Sequence, residues 1–200
     1  MLPLDKMVKQ ITVVGDGNVG KTCLLVSHKD KMFTDEYVPT IFENFAEEIY
    51  VDGNLVNVEL IDTAGQEEFD RIRLLAYPKT DVFLVCFSVA AEDSFENIVL
   101  KWIPELKQHK EDLRIILVGT KADLRDDDET KDRLVLSGKS FVTAKKAEEL
   151  CKHIKAAKYI ETSAKTADRV DEVFEEAARL ALQERDFWVE SDDKRCCQIL

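Results

Sequence analysis

Gly15-Asp-Gly-Asn-Val-Gly-Lys-Thr22 places three glycines, a lysine and a hydroxyl within eight residues, directly behind the β-branched run Gln10-Ile-Thr-Val-Val14. The spacing is G-x-x-x-x-G-K-[ST], which lets a backbone curl so that its N–H groups face phosphate oxygens. Those amides would come from Asp16, Gly17, Asn18, Val19 and Gly20. Lys21 adds charge, and Thr22 offers a divalent cation its hydroxyl. The helix that begins near Lys21, Thr22 and Cys23 contributes the positive field of its N-terminus. At ordinary glycine usage a chance match in a chain of this length is on the order of one in a hundred. The strand before the loop and the helix after it lower those odds further. Three more polar clusters follow apolar runs: Asp62-Thr-Ala-Gly65-Gln66, Thr120-Lys-Ala-Asp123 and Ser163-Ala164-Lys165.

The elements that must position these clusters are legible from periodicity. Leu55 to Ile61 alternates Val56, Val58 and Leu60 against Asn57 and Glu59, and Asp52-Gly53 is a hairpin turn, so strands near 43–50 and 55–61 are predicted to pair antiparallel. Val82–Phe87 and Ile115–Val118 are unbroken apolar runs, the pattern of strands covered on both faces. Phe95, Ile98, Val99, Trp102 and Leu106 recur at helical spacing over 93–108, with Ser94 or Asp93 predicted to cap the start. Val170, Val173, Phe174, Ala177 and Ala181 make one stripe of a last long helix. Strands alternating with helices predict a parallel α/β sheet, with ligands at the carboxyl ends of its strands.

Composition narrows the class. The chain has 200 residues, enough for one domain with a sizeable core, expected over 1–188 with a flexible tail over 189–200. A formal net charge of −12 argues against nucleic-acid binding, which needs a basic face. Five cysteines without a disulfide-framework spacing indicate a reducing compartment. The longest apolar stretch, Val82–Val89, is far short of the ~20 residues of a membrane-spanning helix.

Taken in their order along nearly the whole chain, these clusters resemble the Ras superfamily of small GTPases. The resemblance implies an α/β P-loop NTPase fold, a mostly parallel six-stranded sheet with one antiparallel edge strand and helices on both faces, and a GTP-binding switch that hydrolyses GTP to GDP with Mg²⁺. It implies that Asp62 holds Mg²⁺ through water, that Gly65 offers its amide to the γ-phosphate, and that Gln66 orients the attacking water. Lys21, Gln66 and Thr40 would form the catalytic set, and Thr22 and Thr40 would reach the metal. Asp123 would accept both guanine N–H groups, Lys121 would cover the base and tie back to the phosphate loop, and the backbone of 163–165 would meet the guanine oxygen. Thr120 stands where asparagine is commoner, so a weaker tether from base motif to phosphate loop is expected. Phe33 and Tyr37 would line the nucleotide, Phe33 alternatively packing as an ordinary loop aromatic. Since Thr40 contacts an intact triphosphate, hydrolysis should release its loop. Arg71 and Arg73 are not expected to reach the γ-phosphate, so a partner's arginine would complete the site. A P-loop kinase would need a basic lid where 125–142 is acid-rich, and a non-hydrolysing scaffold would not need Gln66, Thr40 and Thr22.

Tyr37-Val-Pro-Thr-Ile-Phe-Glu-Asn44, Arg71-Ile-Arg-Leu-Leu-Ala-Tyr-Pro78 and Trp102 look like the Rho branch, whose extra segment falls at Arg125–Val142; Ile61 departs from the aromatic usual before Asp62. Ser137-Gly138 are poor helix residues, so no ordered helix is predicted in that segment. The sequence Cys197-Gln-Ile-Leu200 resembles a prenylation box in which leucine favours geranylgeranyl, with Cys196 as a palmitoylation candidate beside a weak basic pair, Lys194-Arg195. The resemblance therefore implies a monomer that cycles between cytoplasm and plasma membrane. Its partners would be an exchange factor, an activating protein, a dissociation inhibitor and effectors such as formins or kinases, in actin-cytoskeleton signalling.

Overall fold

The computed structural model describes residues 8–33 and 42–183. Six strands form one sheet: β1 Lys9–Gly15, β2 Phe42–Val51, β3 Asn54–Thr63, β4 Val82–Ser88, β5 Ile115–Thr120 and β6 Lys158–Glu161, in the order β2-β3-β1-β4-β5-β6. Only β2 and β3 pair antiparallel, Phe42 opposite Thr63 through Val51 opposite Asn54. Asp52 and Gly53 turn between them, both at positive φ (50° and 82°). Two left-handed residues match the right-handed twist of a two-residue hairpin, so Asp-Gly sets the register of this edge pair.

β1 lies between β3 and β4, parallel to both. The chain therefore fills the sheet outward in two directions from β1, and the carboxyl end of β1 is the switch point where a crevice opens. The helices are α1 Lys21–Asp30, α2 Asp70–Leu74, α3 Glu92–Asn97, α4 Ile103–His109, α5 Asp128–Leu136, α6 Ala144–His153 and α7 Val170–Leu182. They cover both faces, as predicted. One core lies between the sheet and α1 and α7, built on Leu24, Leu25, Val173 and Phe174. The other lies beneath α3, α4 and α6 and includes Trp102, Leu106 and Ala147. Every residue of β4 and β5 is buried, which accounts for their unbroken apolar runs.

Three local expectations are corrected. The segment 125–142 does contain an ordered helix, α5. Asp127 caps it by accepting from the Thr130 amide at 2.8 Å. Gly138, at φ 67°, ends it: its N–H reaches Val135 O at 3.0 Å and that of Lys139 reaches Leu134 O at 2.9 Å. Ser137-Gly138 are a stop signal that completes this helix. Secondly, α3 starts at Glu92, with Ala91 at its N-cap and no side-chain cap; the Ser94 hydroxyl instead donates to Ala91 O at 2.6 Å. Thirdly, the helical stripe over 93–108 is interrupted. α3 passes through a π-helical stretch, Ile98–Trp102, before α4 resumes with Pro104 in its first turn.

Candidate nucleotide site

Gly15 ends β1 at φ 146°, where an added Cβ would run into the Cys86 carbonyl of β4, so only glycine lets the chain leave the sheet there. Asn18 and Gly20 then take positive φ (63° and 100°), and the loop hands directly into α1. No acidic residue stands in the first turn of α1, so its positive end is left for an anion. The Lys21 ammonium is folded back over the loop, donating to Gly15 O and Asp16 O, each at 2.8 Å. Burial lowers its pKa below the ordinary lysine value, and the charges of Asp62 and Asp16 oppose that shift. A phosphate would relieve this desolvated cation, which is held in place before the anion arrives.

Beside it, the Thr22 hydroxyl donates to Asp62 Oδ2 at 2.6 Å. Asp62 is fully buried at the end of β3. One hydroxyl and one carboxylate converging at a phosphate cradle suit Mg²⁺, a hard cation that takes oxygen ligands and keeps several waters. Among the described residues no group of three or more His, Cys, Asp or Glu side chains is placed to hold a metal. Gly65 follows, its backbone lying against the loop: a Cβ there would collide with Asp16, Gly17 and Gly15 O. The exposed Gln66 lines a cleft with Asp16, Gly17, Gly65, Glu68, Asn97 and Lys101.

On the other side of the α1 N-terminus, a cleft of about 390 Å³ is lined by Asn18, Gly20, Cys23, Phe33, Thr120, Lys121, Asp123, Ala164 and Lys165. Asp123 Oδ1 accepts from the Ser163 hydroxyl at 2.6 Å, which fixes the direction of its carboxylate. Lys121, at φ 59°, sends its ammonium 2.7 Å to Asn18 O. The Thr120 hydroxyl sits 2.5 Å from Val19 O and 2.9 Å from Phe87 O. A tether to the phosphate loop therefore exists despite the missing amide, because the shorter side chain lies close enough for its hydroxyl to reach the Val19 carbonyl. Phe33 joins this cleft wall.

Phosphate cradle, divalent-cation pair and base-sized cleft lie in sequence around one helix N-terminus. A family model described as Ras family matches residues 10–183. The chain belongs to the Ras family. Ras-family proteins bind GTP and GDP and act as GTP-hydrolysing switches that engage regulators and effectors, and this GTPase carries their fold over the described residues.

Of the sequence-predicted residues, Asp16, Gly17, Asn18, Gly20, Lys21, Thr22, Cys23, Phe33, Asp62, Gly65, Gln66, Thr120, Lys121, Asp123, Ala164 and Lys165 meet at this edge of the sheet. Val19 contributes its carbonyl and Ser163 its hydroxyl. Tyr37, Thr40, Cys196 and Cys197 lie outside the described residues. Arg73 turns away from the cleft: its fully buried guanidinium bonds Glu105 at 2.8 and 3.0 Å, Asp70 at 2.7 Å and Ala64 O at 2.9 Å. Sequence reasoning missed Thr130 and Arg133, which α5 brings to the base cleft, and Asn97 and Lys101 beside Gln66. Thr130 and Arg133 were hidden because no helix was expected there.

Proposed function

We propose that this GTPase is a Rho-type, Mg²⁺-dependent switch that hydrolyses GTP slowly by itself and rapidly with an activating partner. The observation that carries the reading is the pairing of two sites on one loop: Lys21, Thr22 and Asp62 on its phosphate side, Asp123 oriented by Ser163 on its base side. Asp123, half-buried and oriented by Ser163, would accept the two guanine N–H groups; adenine offers no such pair of donors, at about 1–3 kcal/mol per lost partner. Gln66 would orient water at the γ-phosphate, and Lys21 with the loop amides would neutralise charge. Bound Mg²⁺ would supply further charge neutralisation across the phosphates. No arginine among the described residues lines the Gln66 cleft, which supports an arginine delivered in trans, with stimulation of roughly 10³–10⁵-fold.

The Rho assignment rests on the 37–44 and 71–78 stretches, Trp102 and the inserted helix α5. With it come effectors such as formins or kinases, an exchange factor, a dissociation inhibitor and a role in actin signalling. Thr40 would close on the triphosphate, residues 1–188 would be the GTPase domain, and prenylation of Cys197 with acylation of Cys196 would bring the protein to the plasma membrane. Mass spectrometry of membrane-bound protein reads both cysteines directly.

The deciding experiment is nucleotide analysis of the purified chain. GDP at about one per chain is expected, with Lys21→Ala and Asp123→Ala both losing it. Bound adenine nucleotide, or retention of guanine nucleotide by both variants, would overturn the proposal.

A further inference from the structure

Asp16 belongs to the phosphate loop, and its carboxylate is taken up by two donors from one helical stretch. Asn97 Nδ2 donates to Oδ2 at 2.6 Å and Trp102 Nε1 donates to Oδ1 at 2.7 Å. Residues five apart lie about 140° around an α-helix from each other, so a regular helix could not aim both at one carboxylate. The π-helical stretch Ile98–Trp102, wound with i→i+5 bonds, brings position 97 and position 102 round to the same side. Such a stretch inside an α-helix often marks a functional place.

The contacts continue beyond Trp102. Its fully buried ring has the Arg73 guanidinium 4.8 Å and the Lys101 ammonium 5.1 Å from its centroid. Arg73, fixed by Glu105 and, at 3.1 Å, by the Tyr77 hydroxyl, donates to the carbonyl of Ala64. Ala64 precedes Gly65 and Gln66, and Gly65 packs against Asp16 and Gly17. The chain of contacts thus begins on the phosphate loop and returns to it through the residue that carries Gln66.

We propose that Asn97, Trp102 and Arg73 are positioning residues for hydrolysis: the π-helical stretch braces Asp16 from outside, and through Arg73 fixes the Gly65-Gln66 backbone against the phosphate loop. This rests on the function proposed above and adds how the water-orienting side chain is held at its distance. Loss of the brace slows the chemical step by roughly ten- to a hundredfold, the scale of a small misplacement of a reacting group, while base recognition at Asp123 is untouched.

The test is an exchange of partners in the full chain. Asn97→Asp sets two carboxylates against each other; the Asp16→Asn/Asn97→Asp pair rebuilds the contact with donor and acceptor reversed, and leaves an amide oxygen for Trp102. Single-turnover hydrolysis of Mg–GTP, GDP affinity and melting temperature are measured for each. Asn97→Asp is expected to slow hydrolysis at least tenfold with GDP affinity within about threefold of the parent, and to melt lower. The exchanged pair is expected to recover most of both losses. Trp102→Phe, which removes the N–H and keeps the ring, is expected to slow hydrolysis without loss of fold. Parental hydrolysis in Asn97→Asp and Trp102→Phe, or an exchanged pair that melts like the parent but hydrolyses like Asn97→Asp, would overturn the brace. A parent chain that binds no guanine nucleotide would instead sink the function proposed above, and the melting temperatures alone would then decide whether Asn97 and Asp16 are coupled.

Discussion

Single side chains at this site work by reaching backbone carbonyls. Thr120 and Lys121 each donate to the phosphate loop, to Val19 O and Asn18 O, so the base side and phosphate side of the cleft hold each other. Thr120→Val keeps the volume and leaves Val19 O without that donor. A lost neutral hydrogen bond is worth about 0.5–1.5 kcal/mol, so GDP release should quicken roughly threefold to tenfold, read by displacement of a fluorescent guanine nucleotide. A rate equal to the parent's would mean that the Lys121 link carries the tether alone. At this scale much of the site was visible beforehand, because glycine, lysine and carboxylate spacings reflect what phosphate and purine chemistry demand. The environment of Asp16 was not: Asn97 and Trp102 are 81 and 86 residues away, and nothing in the 93–108 periodicity marks a change from α to π winding.

Among the elements, the stretch after Gln66 is anchored by a buried ion network. Arg73 is the second largest fully buried side chain of the described residues, and it meets Glu105 of α4 together with the Tyr77 hydroxyl, 2.6 Å from Glu105 Oε1. Burial pushes the Glu105 carboxyl up, but the hydrogen bonds from Arg73 and Tyr77 outweigh burial and hold it below the ordinary glutamate value. A carboxyl depressed in the folded state contributes stability above its unfolded value of about 4.3, and that contribution disappears as pH falls through the lower folded value. Glu105→Gln removes this pH dependence and leaves the guanidinium without its main counter-charge, at a cost of about 3 kcal/mol. Urea unfolding of parent and variant at pH 7 and pH 4 should show a smaller gap at the lower pH; an equal gap at both would place the stabilisation elsewhere. The hairpin and the α7 stripe could be read from turn residues and periodicity, since each is encoded in one continuous stretch of chain. Helix α5 was misread because Ser137-Gly138 were weighed as helix interior, whereas a left-handed glycine one residue past the last turn is how helices end.

For the molecule as a whole, the sheet separates two apolar cores, and the nucleotide cleft lies at the edge where loops from both sides meet. Binding that favours only the folded state stabilises by mass action, about 2.7 kcal/mol at a hundredfold excess over the dissociation constant. For a chain of this size that is a rise of roughly 5–10 °C in melting temperature. GDP with Mg²⁺ should give it, EDTA should remove part of it, and ADP should give none; equal shifts with GDP and ADP would deny Asp123 its part in selection.

The hydrogen bonds that close the cleft join residues far apart in the chain: Asn18 to Lys121, Val19 to Thr120, Ser27 to Ala164. During synthesis, then, the loop at Gly15–Thr22 emerges from the ribosome long before the segment that completes its pocket. A nascent chain halted before Ser163 holds every phosphate-facing residue of that loop and lacks the hydroxyl that aims Asp123. Guanine nucleotide can therefore stabilise the fold only after Ser163 has been made, as a checkpoint on the completed cleft.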